Sequence, residues 1–309
     1  MKKNLQKNVF TIRSFSRSYT DKLGILNEKP YDPSLNLTES RIVYELAQHQ
    51  QLRSKDLLGL LSLDKGYLSR ALASLKKRKI LTEHQGTEDT REKWLSLTEK
   101  GSQLFEKIDG ISIERTEEVL QHLSPFQRSE LNQHLAAAQL ILDPKQKIDI
   151  SEVQIRDLKP GDLGWVISRH GEIYAAEYGW TIDFEFLVAD IASRFAQKND
   201  PKFERAWIAE ARGLRLGCVF LVKEDAKTAK LRILLVDPMA RGLGLGSRLV
   251  QECIRFAKSC GYKQVTLWTN DILTSARKIY EAEGFVLEKE EKHTSFGKKL
   301  NGQYWSKTL

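Results

Sequence analysis

The sequence predicts a multi-domain chain: an all-α-rich winged helix-turn-helix domain over residues 1–143, then an α/β (α+β) domain with a mixed central sheet over residues 144–309. Three observations carry this expectation. With 309 residues, 41% of them hydrophobic, the chain is long enough for two cores. Residues 38–79 carry successive helix signals that end in a basic run and lead into a hairpin with a polar loop. Residues 231–260 read as a short apolar strand, a glycine-rich turn and an amphipathic helix.

In chain order, Leu5 to Leu26 spaces Val9, Phe10, Ile12, Phe15, Tyr19 and Leu23 as a helix does, and Tyr31-Asp32-Pro33 breaks the pattern. Thr38 is the expected cap of a helix carrying Ile42, Val43, Leu46 and Ala47, and Ser54 that of a short helix, Lys55 to Leu61. Asp64 opens a third, Lys65 to Lys79, whose Leu68, Ala71, Leu72 and Leu75 form the buried stripe. Lys65, Ser69, Arg70 and Lys76 fall outside that stripe. Two short helices, a tight turn and a third helix with a basic exposed face make a helix-turn-helix pattern. The run Lys76-Lys77-Arg78-Lys79 fits a DNA contact and equally a solvated helix end favoured by the dipole. Ile80 to Glu83 and Trp94 to Leu97 read as strands around the polar loop Gln85 to Lys93, a wing. Thr98 caps the next helix, which continues through His122. Ser124-Pro125-Phe126-Gln127 is a capping box with proline at the first helical position, opening a last helix through Leu142. Asp143 to Lys147 reads as the linker.

In the second half, Val153 to Arg156 is a short strand and Pro160-Gly161 starts a helical region rich in aromatics: Trp165, Tyr174, Tyr178 and Trp180. Phe184 to Phe195 is another helix. Ala206 to Ala211 and Leu216 to Val222 are strands joined by Arg212-Gly213-Leu214-Arg215. Leu231 to Val236, nearly continuous in apolar residues, suits a strand buried on both faces, and Asp237-Pro238 ends it. Leu249, Val250, Cys253, Ile254 and Ala257 follow at helical spacing. Gln264 to Thr269, Phe285 to Lys289 and Tyr304 to Lys307 are the remaining strands.

The turn Arg241-Gly242-Leu243-Gly244-Leu245-Gly246 carries the chemistry. The first N–H groups of a helix lack intrahelical partners, and the helix dipole places partial positive charge there. Glycines at 242, 244 and 246 remove side chains that would hold an anion off, and Arg241 adds a fork suited to phosphate oxygens. The same spacing also serves a glycine-rich connection closing a tight strand–helix packing. A Walker loop is excluded because Ser247-Arg248 follows Gly246 in place of Lys-Ser/Thr. A dinucleotide fingerprint is excluded by Ser247 at its third glycine and by the residues between strand and turn.

Arg241 to Gly246 resembles the Arg/Gln-x-x-Gly-x-Gly/Ala element of GNAT N-acetyltransferases. The later run strengthens the resemblance: Asn270, then Ser275-Ala276-Arg277-Lys278-Ile279-Tyr280 and Gly284-Phe285. It implies acetyl-CoA as cosubstrate, held by Leu235, Val236, Arg241, Gly242, Leu243, Gly244, Leu245, Gly246, Ser247, Asn270 and Ala276. It also implies Tyr280 as the acid that protonates the departing thiolate. The plain alternative for Tyr280 is a packing role. No carboxylate lies on Leu231 to Val236, where several members place a base. Glu177, Glu185 and Glu210 are available elsewhere, and His170 beside Gly171 reads as a loop residue, so no base is assigned. Asp89-Thr90-Arg91 followed by Leu97-Thr98-Glu99-Lys100-Gly101 resembles the MarR family of winged-helix regulators. That resemblance implies double-stranded DNA as partner, with Lys65, Ser69, Arg70, Asp89, Arg91 and Lys93 as contacts. It further implies a homodimer through the first and last helices of the domain.

The net charge of +8 permits a polyanionic partner. No run approaches the roughly 20 apolar residues of a membrane span, and Met1-Lys2-Lys3 is not followed by a signal-peptide core. Cys218, Cys253 and Cys260 lack paired spacing, and Cys253 and Cys260, seven apart, read as small buried residues on one helix face; a reducing cytoplasm fits. The six histidines show no metal-ligand spacing, so no metal is expected. The sequence therefore reads as a DNA-binding regulator fused to an acetyl-CoA-dependent N-acetyltransferase acting on a small amine or a protein lysine. The alternative is a regulator whose second domain senses acyl-CoA without turnover.

Overall fold

The computed structural model describes residues 2–25, 31–86, 92–143 and 146–309. The chain divides into two compact units, Met1–Arg128 and Ser129–Leu309.

The first unit contains α1 (Lys2–Lys22), α2 (Leu37–His49), β1 (Gln51–Arg53), α3 (Ser54–Leu61), α4 (Lys65–Lys77), β2 (Leu81–Gln85), β3 (Lys93–Leu97), α5 (Glu99–Gln121) and the start of α6 (Pro125–Leu142). Ile42, Val43 and Leu46 of α2 meet Leu57, Leu68, Leu72, Leu75 and Leu95 in one core. The helix-turn-helix and its wing therefore share a single hydrophobic cluster. Two caps differ from expectation. Asn36, not Thr38, caps α2: its side-chain oxygen accepts from Glu39 N at 2.9 Å, and Glu39 Oε2 accepts from Asn36 N at 3.2 Å. Ser54 is already helical, because the extended backbone of β1 runs through Arg53, whose N–H donates to Asp56 Oδ2 at 3.0 Å. Strand β1 carries no sequence signal of its own; its three residues pair with β3 to make a three-stranded sheet in the order β1-β3-β2. Asp64 and Thr98 cap α4 and α5 as expected, accepting from Tyr67 N at 3.0 Å and Gly101 N at 3.1 Å. Gly101 is needed because a Cβ there would collide with the Ile80 carbonyl.

The second unit takes the rest of α6, then β4 (Gln154–Asp157), α7 (Asp162–Tyr178), α8 (Ile182–Lys198), β5 (Arg205–Ala211), β6 (Leu214–Lys223), β7 (Thr228–Val236), α9 (Leu245–Ser259), β8 (Gln264–Asn270), α10 (Thr274–Ala282), β9 (Val286–Ser295) and β10 (Lys298–Thr308). The sheet order is β4-β5-β6-β7-β8-β10-β9. Only β7 and β8 pair in parallel; every other neighbour is antiparallel. One face packs Leu249, Val250 and Cys253 of α9 and Tyr280 of α10 against Val219, Leu221, Leu231 and Leu267. The other packs Val166 and Ile173 of α7 and Val188 and Phe195 of α8 against Ile208, Cys218, Phe220 and Leu235.

Four expectations change here. The boundary expected at residue 143 falls at 128, inside α6, because Ala136, Ala137 and Leu140 pack onto the core of the second unit. The final strands are longer than expected and form one hairpin, turning at Phe296 and Gly297. Cys260 is half-buried and caps the end of α9, whereas Cys253 is fully buried within it. The strand containing Leu231 to Val236 is not buried on both faces throughout: Arg232, Ile233, Leu234 and Val236 are half-buried. A bulge explains the run of apolar residues. Cys218 pairs with Leu235 but Phe220 with Arg232, so β7 carries one residue too many, and Ile233 adopts φ +50°. The extra residue reverses the alternation, sending Leu231 to one face and Leu235 to the other.

Candidate active site

The bulge lies where the sheet opens. Strands β7 and β8 pair only from Thr228 with Gln264 to Leu231 with Leu267. Beyond that point β7 continues to Val236 beside β6, while β8 continues to Asn270 beside β10. The backbone of Leu235 and Val236 thus has a partner on the β6 side and none from β8. An amide-bearing chain lying in that gap could pair with it as an added strand.

The glycine turn stands at the end of β7. Asp237, almost fully buried, fixes its start: Oδ1 accepts from Met239 N at 2.9 Å and Oδ2 from Arg169 Nε of α7 at 2.7 Å. Gly242 and Gly244 have φ of +79° and +75°, and a Cβ on either would point into open space. Gly246 is buried for another reason: a Cβ there would strike Ile279 Cδ1 of α10. Gly246 thus serves close packing, while Gly242 and Gly244 leave the space around them open. Gly244 is the N-cap of α9 and offers no side-chain hydrogen bond; the first turn contains no acidic residue. The N–H groups of Leu245, Gly246 and Ser247 precede the first intrahelical bond, Arg248 N to Gly244 O at 3.2 Å. An uncapped helix start beside an open, left-handed glycine turn suits an anion. Leu245 itself is a core residue, so only its backbone can serve a ligand.

Tyr280, on α10, packs in the core on the α9/α10 face of the sheet. It is buried, its ring packs edge-on against Phe285 at 5.9 Å, and its hydroxyl has no hydrogen-bond partner among the described residues. Burial, then the neighbouring Tyr174 phenol, holds its pKa well above the usual tyrosine value. It stays protonated and is available as a donor. Tyr174, on α7, comes from the opposite face and packs both with the cluster containing Leu235 of β7 and with that containing Trp268 of β8. Its pKa is raised by burial first and then by Tyr178. The sequence marked Tyr174 only as one of several aromatics. Its place beside both β7 and β8 depends on tertiary geometry that spacing does not encode.

Around Tyr174 the rings of Tyr178, Trp180 and Phe184 lie 5.4, 5.0 and 4.4 Å away, and Phe296 from the hairpin turn closes on Trp180 at 4.8 Å. Asn270 is buried, and its Oδ1 lies 2.9 Å from His293 Nε2; Ala276 packs against the α9/α10 core. The available bases are largely engaged. Glu210 accepts from Arg156 Nε at 2.8 Å, Glu177 is paired with Arg241, and Glu185 packs against Gly171. His170 is not in a loop. It is buried in α7 with Nδ1 2.7 Å from Val166 O, and burial drops its pKa to about 4. Burial raises the thiols of Cys218 and Cys253, so neither is a nucleophile at neutral pH.

In the first unit, Lys65, Ser69 and Arg70 are exposed on α4, with the Arg70 guanidinium 5.9 Å from the Tyr67 ring. Lys93 is exposed at the base of the wing, but its Nζ is 2.9 Å from Glu83 Oε1, and Lys76 takes the other oxygen at 2.6 Å. The wing base is held by Arg53, which pairs with Asp56 at 2.9 Å and Glu92 at 2.7 Å over the Trp94 ring. Asp89 and Arg91 lie outside the described residues.

Comparison with known proteins locates both halves. Residues 202–287 match the family described as acetyltransferase (GNAT) domain, a span that includes the turn, Asn270, Ala276 and Tyr280. Residues 35–93 match the MarR family. The chain is 29% identical over 113 residues to an uncharacterised N-acetyltransferase of Schizosaccharomyces pombe, covering 36% of this chain and 69% of that protein. It is 34% identical over 100 residues to the N-acetylaspartate synthetase of Danio rerio, covering 32% of this chain and 36% of that protein. Among solved structures, a GCN5-related N-acetyltransferase from Kribbella flavida aligns with 52% of this chain and 99% of its own, at 22% identity and TM-score 0.44.

Proposed function

From a chain in which a MarR-family segment precedes a GNAT acetyltransferase domain, we propose a DNA-binding regulator whose second half transfers an acetyl group from acetyl-CoA to an amine. The observation that carries the transfer reading is one juxtaposition. An uncapped, glycine-lined helix start sits at the end of the bulged β7, and the unpartnered Tyr280 hydroxyl lies in the same region of the fold. In this reading the diphosphate lies on the amides of residues 245–247 beside Gly242, Leu243, Gly244 and Arg241, with Ser247 adjoining. The pantetheine amides pair with Leu235 and Val236 in place of the departed β8, while Asn270 and Ala276 border the gap.

The acceptor must arrive as a free amine, since an alkylammonium with a pKa of roughly 10.4 has no lone pair to give. Attack on the thioester carbonyl forms the C–N bond. Collapse breaks the C–S bond, the leaving thiolate takes the Tyr280 proton, and the proton lost from the acylated nitrogen returns to the tyrosinate directly or through water. Burial keeps the phenol protonated, so the proton is present when the thiolate leaves. Small amines and protein lysines both meet these requirements. The test is release of free thiol from acetyl-CoA across an amine panel, together with calorimetry of CoA binding. Absence of both in folded protein would refute the reading.

For the first half we propose binding of double-stranded DNA by a homodimer, with Lys65, Ser69 and Arg70 of α4 in the major groove and Arg91, oriented by Asp89, at the wing. Lys93 would add a phosphate contact once it exchanges Glu83. The exposed Leu5, Phe10, Ile12, Phe15 and Tyr19 on α1 support a dimer through that helix. Less of α6 is available, because its Ala136, Ala137 and Leu140 are used within the chain. Three free cysteines, two of them buried, accord with a cytoplasmic setting.

A further inference from the structure

Arg241 already has an anion. Its Nη1 lies 2.8 Å from Glu177 Oε1, and its Nη2 donates to Glu177 Oε2 at 3.1 Å. This is the two-bond pairing that a guanidinium also makes with phosphate. Glu177 is the penultimate residue of α7, at the helix end where a negative charge is disfavoured by the dipole, and no basic residue shares that last turn. Its favourable partner is therefore Arg241, across a sequence separation of 64 residues. Both side chains keep solvent access, at 46% and 32% exposure, so the pair is weak enough to exchange. The same two N–H edges cannot serve a carboxylate and a diphosphate together.

We propose that Glu177 competes with the diphosphate of CoA for Arg241, so that cosubstrate binding releases the last turn of α7. That turn carries the acceptor-side aromatics: Tyr174 and Tyr178 flank Glu177, and Trp180 packs 5.8 Å from Tyr178. The inference rests on the acetyl-CoA reading of the glycine turn. Release of Glu177 by CoA and shaping of the aromatic wall are then one event, and the coupling between the two sites is reciprocal.

The experiment titrates full-length protein with CoA by calorimetry, using wild type, Glu177→Gln, Arg241→Gln and the double variant, and follows hydrogen exchange over residues 174–180. Glu177→Gln should bind CoA about three- to fivefold more tightly, the scale of an exposed ion pair. The gain should fall below about twofold in the Arg241→Gln background. CoA should speed exchange in the last turn of wild-type α7, and that turn should already exchange fast in Glu177→Gln. Unchanged or weaker binding by Glu177→Gln overturns the inference, as does a gain that persists without Arg241, or a turn that CoA leaves unaltered or protects. If wild type binds CoA and Gly244→Asp abolishes it, such a result removes this inference alone. If wild type does not bind CoA, the cosubstrate reading falls first.

Discussion

Gly244→Asp separates the anion reading of the turn from the packing reading. Position 244 has φ +75° and open space around a would-be Cβ, so the substitution introduces no collision. Backbone strain in the left-handed region costs roughly 1–2 kcal/mol for an ordinary residue and less for Asp, which visits that region more readily. Against this, a carboxylate at an N-cap can accept from the exposed amides and offset part of the strain. The fold should therefore survive. CoA binding should not, because the carboxylate occupies the amides of residues 245–247 that the diphosphate would use. One extra negative charge about 4 Å from a phosphate, at an effective dielectric near 20, opposes binding by up to about 4 kcal/mol. We expect a loss of at least about 100-fold in affinity, or about 2.7 kcal/mol. Gly244→Ala supplies the control: it carries the strain without the charge, and should lose affinity by about tenfold or less. Calorimetry with CoA on variants of intact circular dichroism reads both. Affinity within about threefold of wild type for Gly244→Asp would refute the assignment of the turn.

Three further outcomes are expected. Tyr280→Phe should keep CoA affinity and lose turnover by at least about tenfold, equivalent to about 1.4 kcal/mol; a rate within about twofold of wild type would make Tyr280 a packing residue. Arg91→Ala should weaken duplex binding more than Lys79→Ala, with log affinity falling against log salt by about 0.9 per phosphate contact; equal behaviour of Arg91→Ala and wild type on every duplex would remove the wing contact. The Asp32 carboxyl is held at about pKa 2 against an ordinary 3.8, chiefly by Lys107 and then by Ser34. A lowered carboxylate pKa contributes stability above the ordinary value that is lost as pH falls through the folded one. Because Lys107 is largely exposed, Asp32→Asn should cost about 1 kcal/mol at pH 7, and denaturant midpoints of the two proteins should converge between pH 4 and pH 2.

Much of the fold was legible because local signals and burial agree. The stripe Leu249, Val250, Cys253, Ile254 and Ala257 is buried as its spacing predicts, and Asp64, Thr98 and Ser124 cap the helices they precede. The features that depart from expectation depend on long-range pairing. Strand β1 is three residues long and exists only because β3 lies beside it. The bulge at Ile233 looks in sequence like uninterrupted hydrophobicity, since a strand that changes faces shows apolar residues at both parities. The Arg241 to Gly246 turn was visible from its residue types. The pairing of Glu177 with Arg241 and the position of Tyr174 were not legible, because both come from the packing of α7 on the sheet and no motif spacing records it. The boundary at 128 was hidden for a similar reason: Ala136, Ala137 and Leu140 would suit either core.

Whether the second half turns over acetyl-CoA or only senses it comes down to the two phenols. A sensor needs the turn, Arg241 and the backbone of β7; it needs no proton donor at the thioester. Tyr280 packs edge-on against Phe285, and its hydroxyl makes no hydrogen bond among the described residues. A hydroxyl without a protein partner is open to one that arrives with the ligand, and the sulfur of CoA is the acceptor that the proposed transfer supplies. The two readings then part on one comparison. If the hydroxyl serves only binding, Tyr280→Phe weakens CoA and leaves nothing further to lose. If it serves transfer, affinity for CoA holds and only the rate of thiol release falls.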